Sequence, residues 1–310
     1  MPQQFNKLIQ IIDDAINKFQ ERIPDVQMRL YEQLSDELDA LKTSGGRILS
    51  TTENLKLIIS IKNKLEKLLL NNDYVSQVKN LLTAFDAISD FHNNYFSQFN
   101  AKFKPGQTLA LIKQMSIEAT VNSLTEAGIG ANIIEPINNI LRVNTTTGGS
   151  KAKMNEILRN NIISNDTGDG SLLRYSKQIT TDALNQFSAQ YNKQVASDLG
   201  LEWFMYVGSN LTTTRPWCEA MTGLKYIHIS ELPEAIKGVV NGEKIPLSSK
   251  TNLPAGMIPG TNAQNVMVYR GGYNCGHQLV AVDELAVPQE RKTAVYASFA
   301  YKNWKARMAA

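Results

Sequence analysis

The stretch Leu201-Glu202-Trp203-Phe204-Met205-Tyr206-Val207 decides the fold class, because the chain changes character there. Upstream, Leu and Ile recur at helical spacing. Here aromatic residues crowd together, and these suit a pleated, buried strand. Three more short runs read as strands: 225–229, 266–269 and 278–282. Between the first two of these lies 238–265, where Pro246, Pro254, Gly256, Pro259 and Gly260 leave little room for regular structure. A last helix is expected from Pro288 at its first position, carrying Val295, Phe299, Trp304 and Met308.

Before residue 200 the pattern is helix after helix. Phe5, Leu8, Ile9, Ile12, Ile16, Phe19 and Ile23 form one apolar stripe. Pro24 marks a break or restart, and Val26, Leu30, Leu34, Leu38 and Leu41 continue a narrower seam that Thr43-Ser44-Gly45-Gly46 ends. Thr51 or Thr52 caps the next helix. Another is expected over about 73–102, and one more ends near Gly128-Ile129-Gly130. Such seams fit a plain bundle or an intermolecular coiled coil. A polar helix over about 172–199 suits a connector. The expected class is α+β. A predominantly α-helical, elongated body (1–165) leads through a connector helix (171–200) to a small α+β domain (201–288) and a basic terminal helix (289–310).

Bulk properties narrow the function. A chain of 310 residues is long for one core, so two structural units are the default. Lys+Arg 32 against Asp+Glu 29 gives +3, too weak a balance to argue for nucleic-acid binding by the whole chain. The most apolar stretch, 55–70, is broken by Lys56, Lys62, Lys64, Glu66 and Lys67, so no membrane span is expected. The N-terminus shows no basic region followed by an apolar run, so no signal peptide is expected either. Two cysteines in a chain this long suggest synthesis in a reducing compartment.

Four of the five Cys and His residues fall in the last third: Cys218, His228, Cys275 and His277. Cys275 and His277 are two apart, so on a strand they share a face. With Cys218 and His228 folded against them, the four would make a Cys2His2 zinc site. Neither cysteine has a Cys-x2-Cys neighbour, so two buried structural thiols are the competing reading. A Cys–His pair, Cys218 with His277 or Cys275 with His228, also has the makings of nucleophile and base. No Gly-x-Ser-x-Gly, His-Glu-x-x-His or Walker A string accompanies it, and the chain reads as non-enzymatic.

Arg215 is held extended by Pro216, placing its guanidinium to clamp a carboxylate or the carbonyls of the Gly271-Gly272 turn. Trp203, Tyr206, Trp217, Tyr226 and Tyr269 are expected in the small domain's core. In the terminal helix, Arg291, Lys292, Lys302, Lys305 and Arg307 face only Glu290, which suits either phosphate contact with DNA or a solvated face.

The order of these strings carries a resemblance. A long polar helix with Tyr175-Ser176-Lys177 precedes Leu201-Glu202-Trp203, then Thr214-Arg215-Pro216-Trp217-Cys218, Gly223, an irregular loop and Asn274-Cys275-Gly276-His277. Over about 171–288 this resembles the phage head morphogenesis family, the Mu F-like minor head proteins. The matching positions are Arg215, Cys218, Gly223, Asn274, Cys275 and His277. The chain departs from the pattern in having Gly276 where Arg is usual, and no Pro before Asn274. The resemblance implies a non-enzymatic bacteriophage virion protein, assembled in the host cytoplasm and present in few copies. It implies association with the portal and capsid interior, and a part in head assembly, DNA packaging or delivery. Its expected partners are the portal and other virion proteins, with packaged DNA met through the terminal helix and self-association through the N-terminal helices. No cofactor is required, zinc being the one candidate. In a released virion, outside a reducing cytoplasm, Cys218 and Cys275 would also be able to form a disulfide. The alternative reading is a virion-carried enzyme or effector using a Cys/His site.

Overall fold

The computed structural model describes residues 2–100, 103–165 and 168–308. It is α+β: mostly helical, with a few small antiparallel sheets. The chain forms two compact units, one from 14–83 and 117–180 and the other from 1–13, 84–116 and 181–310.

The first unit is built on helices whose apolar stripes are the ones the sequence spells out. From Asp14 on, helix α1 (Pro2–Gln20) belongs to this unit and gives way to α2 (Ile23–Leu38), with Pro24 in the first turn of α2, where a missing N–H leaves no bond unmade. Thr43-Ser44-Gly45-Gly46 does more than end a helix. Strands β1 (Thr43–Ser44) and β2 (Arg47–Ile48) pair as a hairpin, and Gly45 and Gly46 at φ +55° and +74° make its turn. Buried Asn54 ties that hairpin down, accepting from the Lys42 N–H at 2.9 Å and donating to the Lys42 and Leu49 carbonyls.

Asn54 lies in α3 (Thr52–Leu69), whose N-cap is Thr51. Helix α4 spans Asn72–Phe96 and α5 Gln107–Thr125. The expected end near Gly128-Ile129-Gly130 is instead a break at Glu126. A short α6 (Ala127–Ile129) and a π turn (Gly130–Ile134) run into α7 (Glu135–Thr146), and α8 (Lys151–Ile162) follows. Helix α2 packs on α3, α3 on α7, α7 on α8 and α8 on α2, a closed ring of four helices. Leu30, Leu34, Ile61, Leu65, Ile137, Leu141, Met154 and Leu158 are buried. Buried Gln27 of α2 donates to the carbonyls of Ile162 and Ile163 at the end of α8. The hairpin β3 (Ser164–Asn165) and β4 (Gly168–Asp169) then leads to the long helix α9 (Ser171–Leu199).

The second unit holds a three-stranded antiparallel sheet. Strand β5 (Trp203–Val207) is central, flanked by β6 (Tyr226–His228) and β9 (Gln278–Val282), with Trp203 opposite both His228 and Val282. All five residues of β9 are buried. Its outer edge is closed by α9, whose Asn192 side chain takes the Ala281 N–H and donates to the Leu279 carbonyl. This supplies the backbone partners that an edge strand lacks.

Between β5 and β9 come α10 (Pro216–Leu224), a short α11 (Leu232–Ala235) and a hairpin of β7 (Val239–Val240) with β8 (Glu243–Lys244). Residues 266–269, expected as a strand, form instead the helical turn α12 (Val266–Tyr269). The reason is local. Asn262 and Asn265 exchange backbone-to-side-chain hydrogen bonds that start a turn, and Val266, Met267 and Val268 bury themselves without a sheet partner. The single terminal helix expected from Pro288 is two, α13 (Gln289–Ala297) and α14 (Phe299–Met308), with Pro288 as the N-cap of the first. Ser298 separates them in an extended conformation, its hydroxyl capping the Tyr301 N–H at 3.1 Å. No helix among the described residues is long and apolar enough to cross a membrane.

Candidate functional site: a buried cysteine–histidine cluster

Helix α10 presents the first cysteine. Arg215, its N-cap, is extended at φ −73° and ψ 143°, as a residue before proline must be, and Pro216 opens the helix. One turn in, Trp217, Cys218 and Met221 face inward, and the Trp217 indole donates to the Ala235 carbonyl at 2.9 Å. Gly223 lies on the exposed outer side of the last turn. A methyl group there would meet nothing, so this residue takes no part in the cluster.

The second string arrives not as a strand but as an irregular turn ahead of β9. Arg270 (φ +48°), Gly272 (φ +104°) and Asn274 (φ +57°) all have positive φ. Asparagine is among the few side chains that accept this region, which gives Asn274 a backbone reason for its identity. The turn is pinned from outside. Asp182 of α9 accepts the Asn274 N–H at 2.7 Å, and the Arg215 guanidinium donates to the Tyr273 carbonyl at 2.8 Å. That is the carbonyl-clamping role expected of Arg215, one residue beyond the Gly271-Gly272 turn.

Together these elements bring Cys218, Cys275 and His277 within 4.8 Å of one another, all three buried. The sulfurs are 4.0 Å apart and unbonded, and Nδ1 of His277 is 3.9 Å from Sγ of Cys275. The other ring nitrogen, Nε2, lies 3.4 Å from Oδ1 of Asn210. Tyr206 of β5 stacks over His277 with ring centroids 5.3 Å apart, and its hydroxyl donates to Sγ of Cys218 at 3.4 Å and lies 3.9 Å from Sγ of Cys275. Tyr206 is a member of the cluster that neither its residue type nor its string announces. Its place in β5 was legible, but that its hydroxyl meets two sulfurs was not.

The sulfurs are electrically unequal. Cys218 donates toward Cys275, and this hydrogen bond together with burial pushes the Cys218 thiol up. Receiving that proton holds Cys275 well below the ordinary thiol value against the cost of burial, helped by His277 and by the Arg270 cation. Arg270 is 2 % exposed, donates to the Asn185 carbonyl at 3.0 Å, and leaves its Nε without a partner. Burial pushes the Tyr206 hydroxyl well up. It also raises Asp182, opposed by the Asn274 N–H and by Arg270.

His228 does not join this cluster. It sits at the end of β6, where Trp203, Tyr296, Tyr301 and Trp304 surround it edge-on and Nδ1 meets Ser230. The Cys2His2 expectation therefore reduces to Cys218, Cys275 and His277, and the pairing of Cys275 with His228 does not form. The aromatic core expectation holds in part. Trp203, Tyr206 and Trp217 are buried, whereas Tyr226 and Tyr269 are half-buried.

The terminal cations also divide. Arg291 is not available for phosphate, because it grips both oxygens of Glu231 at 2.6 Å and donates to the Tyr226 carbonyl at 2.9 Å. Lys302, Lys305 and Arg307 are exposed, and Lys292 is half-buried. Comparison with family models, curated proteins and solved structures gave no match to this chain.

Proposed function

We propose that this chain is a structural, non-enzymatic minor head protein of a bacteriophage, acting beside the portal in head assembly, DNA packaging or delivery. One observation carries the reading beyond string matching. Cys218 and Cys275 belong to strings 57 positions apart, yet they meet in one buried knot. Arg215 from the first string clamps the backbone beside Asn274 in the second. Five of the six positions that carry the resemblance thus lie in or beside one buried cluster, which supports this reading. The exposed Lys302, Lys305 and Arg307 are the part of the chain suited to packaged DNA.

A virion-carried enzyme is the competing reading, and the lowered Cys275 thiol is what favours it. Cys275 is 4 % exposed and Cys218 2 %, which favours a structural role over attack on a substrate. The test is quantitative mass spectrometry of DNA-filled particles from a producing lysate, with crosslinking to the portal. A few copies per particle crosslinked to the portal supports the proposal. Its absence from particles overturns it.

A further inference from the structure

We propose that Cys218, Cys275 and His277 bind one zinc ion, with the Tyr206 hydroxyl at the fourth corner. The argument does not depend on a virion role, and begins with edge lengths. Zn–S bonds of about 2.3 Å and Zn–N or Zn–O bonds of about 2.0 Å in a tetrahedron set two sulfurs about 3.8 Å apart, and a sulfur and a nitrogen or oxygen about 3.5 Å apart. The corresponding distances are 4.0 Å for the sulfurs, 3.9 Å for Cys275 to His277, and 3.4 and 3.9 Å for the Tyr206 hydroxyl to the two sulfurs. Each of these four edges lies within about 0.4 Å of the tetrahedral value, and the three Cys and His ligand atoms all lie within 4.8 Å of one another, so the side chains need only draw together around the ion.

The surroundings fit a ligand set as well. Oδ1 of Asn210 lies 3.4 Å from Nε2 of His277, so a metal-bound His277 has an acceptor for its Nε2–H while Nδ1 faces Sγ of Cys275. Metal-binding histidines carry this kind of outer partner. The backbone closes in where a ligand shell needs room. A methyl group at Gly271 would strike Sγ of Cys218 and lie 3.3 Å from Sγ of Cys275. One at Gly208 would strike the His277 ring. The charges balance too: two thiolates neutralise Zn2+, while neutral His277 and the Tyr206 phenol add none. Loading displaces the proton that Cys218 shares with Cys275, and any proton on Cys275 itself, so affinity rises with pH. Two thiolates and an imidazole select zinc or Cu(I) over hard cations.

The experiment uses the full chain, purified under reductant without chelator and assayed for metal by mass spectrometry. Metal-free protein is then titrated with Co2+ or Cu(I). The expected result is one zinc per chain and, with Co2+, the visible bands of a tetrahedral thiolate site. His277→Gln is expected to weaken binding at least about 10-fold. Tyr206→Phe is expected to keep the fold but alter the cobalt bands, while His228→Gln keeps full metal content. Should Cys218→Ser or Cys275→Ser fail to fold, His277→Gln and Tyr206→Phe still decide. Wild-type protein with less than about 0.1 zinc per chain and no cobalt spectrum overturns the proposal, as does uptake of Cu(I) alone. A metal-free protein found in particles would defeat this inference and leave the structural role standing.

Discussion

The backbone N–H of Ala281 donates to Oδ1 of Asn192 over 3.0 Å, so a helix side chain completes the hydrogen bonding of an edge strand. The same carboxamide donates to the Leu279 carbonyl at 2.8 Å, and Asn192 is 1 % exposed. Asn192→Ala strands a buried donor and a buried acceptor, and is expected to cost about 2–4 kcal/mol. Asn192→Asp keeps the acceptor but sets a carboxylate against the Leu279 carbonyl, and is expected to cost at least as much at neutral pH. Urea unfolding of the three proteins is the measurement. A loss below about 0.5 kcal/mol for Asn192→Ala would show that water satisfies this edge instead.

Arg291 and Glu231 make the second point. Their side chains are 15 % and 21 % exposed, and one guanidinium nitrogen, Nη2, reaches both Glu231 oxygens while Nε binds the Tyr226 carbonyl, which lifts the pair above an ordinary surface bridge. Arg291→Ala is expected to cost about 2 kcal/mol, and Arg291→Lys about half as much, since lysine keeps the charge beside Glu231 but cannot also hold the Tyr226 carbonyl as Nε does. A double-mutant cycle with Glu231→Ala isolates the pair. Zero coupling would mean that Arg291 acts only through the Tyr226 carbonyl.

Acid should weaken the protein through His92. This side chain is wholly buried, meets Ser188 at 3.0 Å through Nε2, and is driven by burial down to about 3. The unfolded chain protonates it near 6.5, so below that pH the unfolded state takes up the extra proton. Stability therefore falls as pH drops from about 6.5 toward 3, and the loss from this group ends there. Between pH 7 and pH 5 it is expected to amount to about 2 kcal/mol, and His92→Phe should remove that share of the difference. An unchanged pH 7-to-5 difference in the variant would exclude His92 as the cause.

Gly271 and Gly223 should respond in opposite ways to alanine. At Gly271 the new methyl group meets both sulfurs, and a cost of about 1–3 kcal/mol is expected, with loss of metal binding. At Gly223 it meets nothing and lies in a helix, where alanine is preferred by roughly 0.5–1 kcal/mol. Thermal unfolding of the two variants separates a residue that shapes the cluster from one that only accompanies it in sequence.

The exposed Lys302, Lys305 and Arg307 are expected to carry nonspecific DNA binding. Changing all three to Gln should lower the slope of log affinity against log salt by about 2–3 without altering unfolding. An unchanged slope would show that these three cations make no phosphate contact.

The helices were legible because burial at 3.6-residue spacing leaves its mark on sequence. Phe5, Leu8, Ile12, Ile16 and Phe19 are all buried, as their stripe requires. Strands β5, β6 and β9 were legible from aromatic and β-branched runs. What failed was set by neighbours, not by propensity. Val266–Tyr269 reads as strand, but Asn262 and Asn265 turn it into a helical turn. Cys218, Cys275 and His277 were picked out by residue type and by their strings. His228 was wrongly grouped with them because spacing along a chain does not reveal that a ring will sit among Trp203, Tyr301 and Trp304. Arg291 looked like a free cation because its partner Glu231 lies 60 positions away.

The chain between the two cysteines also carries a long surface loop. Between Cys218 and Cys275 the chain adds β6 to the sheet and then runs out to an exposed tip at Ser249, Lys250 and Asn252, which among the described residues is braced by local bonds from Ser248 to Leu253. For such a loop, doubling the length adds only about 0.6 kcal/mol of closure entropy. The tip is therefore a natural attachment point, where a peptide tag or a fluorescent label can be carried without disturbing the sheet beneath.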